Sequence, residues 1–201
     1  MKKVFFDTET SGFTPGQIGQ LSAIIEEDGK VTPLNYFFKM DYITQGAQDV
    51  CGRDLKFYEE ASEGKIFADY AQELLQVFNS GILIAHNIKF DENFLSTEFW
   101  RQNIILKPEN RFDTMEYFRD ICKLPGRGSS KYKNPKLEEL VDHFNINKNK
   151  VSAYTKQLFN LSNNESFHDA RYDTTSMYVA FQVYNDMRQG TDGWINQFVN
   201  R

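Results

Sequence analysis

The amino-acid sequence predicts a single α/β domain in which helices pack on a mixed β-sheet. Two observations carry this prediction: segments with strand character come first along the chain, and helical and strand segments alternate after them. A length of 201 residues is typical of one domain. The composition, 40% hydrophobic and 25% charged, is ordinary for a globular protein, and the chain carries no internal repeat.

Three strands are expected near the beginning of the chain. Residues 3–8 form a short apolar run that is typical of a buried strand. Residues 21–27 and 31–40 flank Asp28 and Gly29, a dipeptide that favours a two-residue hairpin turn. The second and third strands should therefore pair with each other.

The rest of the chain begins with an irregular segment and then alternates between helices and strands. Residues 41–65 are polar and lack periodicity, so we expect loops with short turns there. Apolar residues with helical spacing predict a helix over residues 67–78, which ends before Gly81. Further strands are expected at residues 82–85 and 111–112, and further helices at residues 91–101, 114–122, 136–144 and 169–187.

Charge and cysteine content exclude several classes of protein. Lys and Arg total 23 and Asp and Glu total 28, so the net charge of −5 argues against a polybasic protein that coats duplex DNA. Cys51 and Cys122 fit no disulfide framework, and we expect reduced thiols in a cytoplasmic protein. The first apolar run is too short for a signal peptide, and no apolar run is long enough to span a membrane.

Two carboxylates stand at the end of the first predicted strand. Asp7 and Glu9 are two residues apart, so their side chains point to the same face of the strand. Such a pair can bind a cation. It can equally be a solvated strand end or cap the turn that follows, which is the commoner situation for an isolated pair.

Two further aspartates share helix faces with apolar residues. Asp91 has Phe94 and Leu95 at i+3 and i+4, although the helix dipole also favours an aspartate at that position. Asp173 lies on a stripe with Met177, and neither Lys nor Arg occurs three or four residues to either side. An unpaired buried charge is costly, so a metal ion is the plausible partner of Asp173.

Two histidines are candidates for chemistry. His168 lies five residues before Asp173, and an imidazole is a natural general base, although a lone histidine more often has a surface or capping role. For His86 we favour a structural role, orienting the turn that delivers Asp91. A zinc site built from the two histidines is disfavoured, because neither cysteine lies in a matching motif.

Three segments together resemble a known family. They are residues 4–12 (VFFDTETSG), residues 86–95 (HNIKFDENFL) and residues 168–173 (HDARYD). In this order they are similar to the three motifs of the DEDD 3′–5′ exonucleases, in the histidine branch called DEDDh or DnaQ-like, of which the epsilon proofreading subunit of bacterial DNA polymerase III is one. The resemblance implies a ribonuclease-H-like fold. It also implies an exonuclease domain over residues 1–189, followed by a tail at residues 190–201 that packs on the domain or docks elsewhere.

The resemblance implies a two-metal mechanism. Two divalent cations, Mg²⁺ or Mn²⁺, would be held by Asp7, Glu9, Asp91 and Asp173, and His168 would deprotonate the attacking water. The product would be a nucleoside 5′-monophosphate. Asp169 is not assigned as a ligand, because the family motif places the ligand five residues after the histidine.

Four further residues are candidates for contacts with the substrate. Thr10, by analogy with the family, and Phe13, as a stacking surface, would meet the terminal nucleotide. Lys131 and Lys133 lie in a basic loop, residues 123–136, that either holds phosphates or is a solvated linker.

The expected partners are 3′ ends of single-stranded DNA or RNA, with a DNA polymerase subunit as a further possibility. Proofreading or end-trimming of DNA is favoured. The alternatives are RNA trimming of the ribonuclease T or oligoribonuclease type and an inactive nucleic-acid-binding module. Residues 145–167 are longer than in compact members of the family and are interpreted as an insertion that shapes substrate access.

Overall fold

A computed structural model describes residues 1–126, 131–163 and 167–200. Within these residues, five strands form one sheet in the order β3-β2-β1-β4-β5. The first three strands are antiparallel neighbours, whereas β4 runs parallel to β1 and β5 runs parallel to β4. The predicted mixed sheet is therefore confirmed. The strands are β1 (Lys3–Thr10), β2 (Ile18–Glu27), β3 (Lys30–Phe37), β4 (Ile82–Ala85) and β5 (Asn110–Asp113).

Helices cover both faces of this sheet. They are α1 (Gln45–Cys51), α2 (Leu55–Ala61), α3 (Phe67–Phe78), α4 (Ile88–Arg101), α5 (Thr114–Cys122), α6 (Leu137–His143), α7 (Lys148–Leu158), α8 (Ala170–Gln189) and α9 (Gly193–Phe198). None of the helices in the described ranges combines the length and the apolar character needed to cross a membrane.

The expectation of loops over residues 41–65 is wrong, because α1 and α2 lie there. Each helix is only seven residues long, too short to show a repeating apolar face. Their signals are local caps instead: the side chains of Thr44 and Asp54 accept backbone N–H groups of the first turns. Gly52 ends α1 with φ 69°, in the left-handed region.

The bounds of several other elements differ from the sequence prediction. Strand β2 begins at Ile18, three residues earlier than expected, and β3 ends at Phe37. Helix α4 begins at Ile88, because both carboxylate oxygens of Asp113 accept the backbone N–H groups of Asn87 and Ile88.

Alternation along β1 separates two parts of the core. Val4 and Phe6 pack in the cluster that contains residues of α3 and α4. Phe5 packs on the opposite face against α8, with its ring 5.0 Å from that of Tyr178 in an edge-to-face arrangement. Because side chains alternate along a strand, the residues that continue the Phe5 face also point towards α8.

The end of the chain lies against α8. Asp186 accepts the backbone N–H of Trp194 at 2.6 Å, and the Trp194 ring lies 5.4 Å from the Tyr178 ring. Residues 145–163 include α7, whose Val151 and Thr155 are buried. Residues 127–130 of the predicted basic loop and residues 164–166 of the predicted insertion lie outside the described residues.

Candidate active site

Three carboxylates meet where β1 ends. Asp7 and Glu9 follow Phe5 on the face of β1 that α8 covers, and α8 supplies Asp173. One carboxylate oxygen from each of the three lies within 4.8 Å of the others. The structure therefore brings together three of the four predicted metal ligands.

The fourth predicted ligand, Asp91, lies beside this trio. It reaches β1 from α4, on the opposite face of the sheet, and its Oδ1 accepts hydrogen bonds from the backbone N–H (3.0 Å) and hydroxyl (2.7 Å) of Thr8. Asp91 is nonetheless close enough for its charge to raise the pKa of Asp7. One oxygen of Asp91 is thus tied to the strand that carries Asp7.

Burial raises the pKa of all four carboxyl groups, and neighbouring negative charges add to the rise. For Asp7 and Asp173, burial is the larger cause and neighbouring carboxylates add to it, so their pKa values lie well above the ordinary range. Burial raises the pKa of Glu9 to about 7 against the opposing charge of Arg53. Burial raises the pKa of Asp91 to about 7 against the Thr8 hydrogen bonds.

The carboxylate of Asp173 has an oxygen available for a cation. Its Oδ2 accepts the backbone N–H of His168 at 3.0 Å. Its Oδ1 is buried and accepts no hydrogen bond from any residue that the structure describes. Hard divalent cations prefer carboxylate oxygens, so the clustered carboxylates of Asp7, Glu9 and Asp173, one of which has an unpartnered oxygen, form a donor set that fits such an ion.

His168 lies on the turn before α8. Its side chain is exposed, and its backbone is left-handed with φ 69°, a conformation that few residues other than glycine adopt. The hydrogen bond from its N–H to Asp173 places this histidine next to the carboxylate trio.

His86 is held inside the protein by both ring nitrogens. Nδ1 lies 3.0 Å from the Thr114 hydroxyl and Nε2 lies 2.9 Å from the Pro135 carbonyl oxygen. Since a carbonyl only accepts, Nε2 carries a proton, and burial lowers the pKa of this imidazole. With both nitrogens engaged, His86 is poorly placed to ligate zinc, and its contacts brace the end of β4 just before α4.

Sequence reasoning missed Asp113 as an organiser of the same turn. Its carboxylate accepts N–H groups at the beginning of α4, as described above, and also caps α5 through the backbone of Met115. The available signal was its position at the end of a short strand directly before a helix.

Asp169, which was not assigned as a ligand, pairs with two arginines. Its carboxylate contacts the guanidinium groups of Arg53 and Arg171. Burial opposes ionisation of Asp169, but these two cations outweigh it and lower the pKa to about 2. Its oxygens are thus occupied by other partners.

A cleft of about 120 Å³ opens beside the trio. Thr10 and Phe13, the two residues predicted to contact a terminal nucleotide, both line it, and Phe13 is 80% exposed. Part of the remaining lining comes from α1, a helix that the sequence pattern did not predict. The described residues that line the cleft are Thr8, Glu9, Thr10, Gly12, Phe13, Ala47, Val50 and Phe90.

Lys131 and Lys133, the two lysines predicted to bind phosphate, are not among the described residues that line this cleft. Lys133 forms an ion pair with Glu139, and the ammonium group of Lys131 lies 5.0 Å from the ring centre of Tyr132. Lys131 lines a separate cavity of about 330 Å³ with Arg119, Asp120 and Tyr132. Phosphate binding by these lysines stays a prediction.

A family model for exonucleases, RNase_T, matches residues 4–181 of this chain. The chain belongs to this exonuclease family. The match covers the trio, Asp91 and His168. It confirms the family that the three sequence motifs predicted.

Curated relatives of this exonuclease-family domain are much longer than the chain. It is 26% identical over 148 residues to the 3′–5′ exonuclease DinG of Bacillus subtilis, covering 71% of the chain and 15% of the relative. It is also 26% identical over 119 residues to a PolC-type DNA polymerase III of Mycoplasmopsis pulmonis, covering 56% of the chain and 8% of the relative. The matches thus span a small part of each relative.

Solved structures show the same fold. Escherichia coli Exonuclease I in complex with a dT13 oligonucleotide superposes with a TM-score of 0.70 at 20% identity, covering 94% of this chain and 42% of that one. The predicted ribonuclease-H-like fold of the exonuclease-family domain is therefore confirmed.

Proposed function

We propose that this domain is a metal-dependent 3′–5′ exonuclease that shortens single-stranded DNA and releases nucleoside 5′-monophosphates. The convergence of Asp7, Glu9 and Asp173, with one carboxylate oxygen from each within 4.8 Å of the others, is the observation that carries the proposal. The name of the DinG relative, a 3′–5′ exonuclease, supports the direction of hydrolysis, and the oligonucleotides bound to Exonuclease I support single-stranded DNA as the substrate.

Asp7, Glu9, Asp91 and Asp173 would hold two divalent cations, Mg²⁺ or Mn²⁺. Bound there, the ions would stabilise the negative charge that develops on the entering and leaving oxygens of the phosphodiester. Four ionised carboxylates carry four negative charges, which two divalent cations balance. The repulsion that raises the pKa values in the metal-free site would then be relieved.

His168 would act as the general base. Water attacks the terminal phosphorus while the bond from phosphorus to the 3′ oxygen breaks, and the proton of the water passes to an imidazole nitrogen of His168. The released 3′ oxygen takes a proton from solvent. The role of Asp173 in this step is to hold the backbone of His168 in place while also serving as a ligand.

The cleft beside Glu9 would receive the terminal nucleotide. The exposed ring of Phe13 offers a face on which a base can stack, and Val50 and Phe90 supply further apolar lining. Stacking does not distinguish ribose from deoxyribose, so RNA trimming is tested alongside DNA. Association with a DNA polymerase stays a prediction.

The experiment follows a 5′-labelled single strand, as DNA and as RNA, with Mn²⁺ or with EDTA. A ladder that shortens from the 3′ end only with Mn²⁺, faster on DNA, is expected from the wild-type protein and not from Asp173→Ala. The control variant is Asp142→Asn, whose carboxylate is 60% exposed and paired with Lys148. Intact strands with metal-bound wild-type protein would favour an inactive binding module.

A further inference from the structure

Asp169, the residue that follows His168, lies in a buried cluster of charged side chains. Asp169 is 2% exposed, and Arg171 contacts both of its oxygens, at 2.9 Å through Nε and 2.7 Å through a terminal nitrogen. A terminal nitrogen of Arg53 contacts the same carboxylate from a different part of the chain. Two guanidinium groups thus close on one carboxylate at the start of α8.

Arg53 connects this carboxylate to the sheet. Its second terminal nitrogen donates to Oε1 of Gln20 at 2.7 Å, and Gln20 is fully buried on β2. Oε1 of Gln20 also accepts the backbone N–H of Ala170 at 3.4 Å. The guanidinium group of Arg53 therefore connects β2 with the first residues of α8.

Aromatic rings support both guanidinium groups. Arg53 lies 4.8 Å from the ring centre of Phe57, and Arg171 lies 5.5 Å from that of Phe37. Stacking on rings restricts the planes of the two groups, so their donors are already aimed when they meet the carboxylate. The cluster is thus more constrained than an exposed ion pair.

The backbone turn at His168, next to this cluster, adopts a conformation that depends on support from its surroundings. His168 has φ 69°, and a residue other than glycine persists in that region only when its surroundings hold it there. On the preceding side, the Phe167 ring packs 5.0 Å from the Tyr172 ring. On the following side, the support is Asp169.

We propose that Arg53 is a positioning residue for His168, acting through the carboxylate of Asp169. The proposal rests on the proposed function, because it assigns importance to the placement of the general base. Arg53 stands in the turn between α1 and α2, and α1 also lines the nucleotide cleft with Ala47 and Val50. One side chain thus links a wall of the cleft to the turn that carries the base.

The competing explanation is that Arg53 acts on the metal ligands by charge. Arg53 is the cation whose charge opposes the rise in the pKa of Glu9. A purely electrostatic role would be kept by Arg53→Lys, which retains the charge. A positioning role would not, because a lysine ammonium on a flexible stem lacks the rigid planar geometry with which the guanidinium group holds Gln20 and Asp169.

The test compares Arg53→Gln, Arg53→Lys and His168→Gln, alone and as Arg53→Gln/His168→Gln, in steady-state hydrolysis of a DNA oligonucleotide at saturating Mn²⁺. We expect Arg53→Gln to lower kcat at least about tenfold with KM and Mn²⁺ affinity within about twofold of wild type. Arg53→Lys should also lose activity. In the His168→Gln background, adding Arg53→Gln should change kcat by less than about twofold. The control is Lys39→Gln, which removes an exposed pair with Glu59.

An Arg53 effect of equal size with and without His168, or wild-type activity in Arg53→Lys, would overturn the proposal. Amide exchange provides a readout that needs no activity. Arg53→Gln should speed exchange of the His168 N–H, which donates to Asp173, while the fold keeps its far-UV spectrum. Unchanged exchange at His168 would also overturn the proposal. A wild-type protein that cleaves nothing would instead overturn the proposed function, and the exchange result would still decide the positioning role.

Discussion

Oδ2 of Asp173 accepts the backbone N–H of His168 at 3.0 Å, across the turn that begins α8. One carboxylate thereby serves two parts of the site. Oδ1 is buried without a hydrogen-bond partner in the described chain, and Oδ2 accepts the backbone N–H of the histidine that follows Phe167. Metal binding and the position of the base are therefore expected to be linked through this residue.

The first prediction concerns pH and metal. The pKa values of Asp7, Glu9, Asp91 and Asp173 are all raised in the folded protein. A carboxyl group of this kind stabilises the fold below its unfolded pKa, and that contribution is lost as the pH rises through the folded value. For Glu9 and Asp91 the loss extends to about pH 7.

The metal-free melting temperature should therefore fall from about pH 5 to about pH 8, and Mn²⁺ should restore more stability at the higher pH. Differential scanning calorimetry in EDTA and in Mn²⁺ measures both effects. Equal melting temperatures with and without metal at about pH 8 would contradict a cation site at this cluster.

The second prediction concerns Asp173→Asn. The amide is nearly the same shape and keeps an oxygen that can accept the His168 N–H, but it removes one buried negative charge. Metal-free stability at about pH 8 should rise, and kcat should fall at least about a hundredfold, because several kcal/mol of transition-state stabilisation depend on the cations. Thermal unfolding in EDTA and oligonucleotide hydrolysis in Mn²⁺ test the two halves.

Asp142→Asn is the matched control, since Asp142 of α6 is exposed and pairs with Lys148 of α7. It should leave kcat and the Mn²⁺-induced shift unchanged. A loss of metal-free stability in Asp173→Asn would mean that repulsion among the carboxylates does not destabilise the fold.

The third prediction concerns His168→Gln. A general base contributes about 10²- to 10⁴-fold, so kcat should fall by that order. The Mn²⁺-induced shift in melting temperature should remain, because the four proposed metal ligands are unchanged in this variant. His143→Gln, a change at an exposed histidine in the last turn of α6, should retain full activity. An active His168→Gln protein would exclude this histidine as the base.

The fourth prediction concerns Phe13→Ala. Phe13 is 80% exposed, so its removal should leave thermal stability nearly unchanged. Loss of base stacking costs about 1–3 kcal/mol, which corresponds to roughly a 5- to 150-fold rise in KM for a short oligonucleotide. Trp100→Ala is the control, because Trp100 is also exposed but lines a different groove. Equal effects of the two substitutions would contradict a nucleotide site at the cleft.

Local patterns in the sequence were sufficient for much of the fold. Helix α3 shows a clear apolar repeat, and the strands and helices α4, α5, α6 and α8 were predicted apart from their ends, whereas α7 was not predicted. Helices α1 and α2 were missed, since elements of seven residues depend on the caps Thr44 and Asp54 rather than on an apolar face.

The sequence by itself determined that Asp7 and Glu9 share a face of β1 and that Asp173 lies on an apolar stripe, because both follow from the periodicity of a single element. Only the tertiary structure decided that Asp91 is tied to Thr8 across the sheet and that Arg53 meets Asp169, 116 positions later in the chain. These pairings arise from the packing of separate elements, and no local period of a strand or helix encodes which distant charges will be brought together.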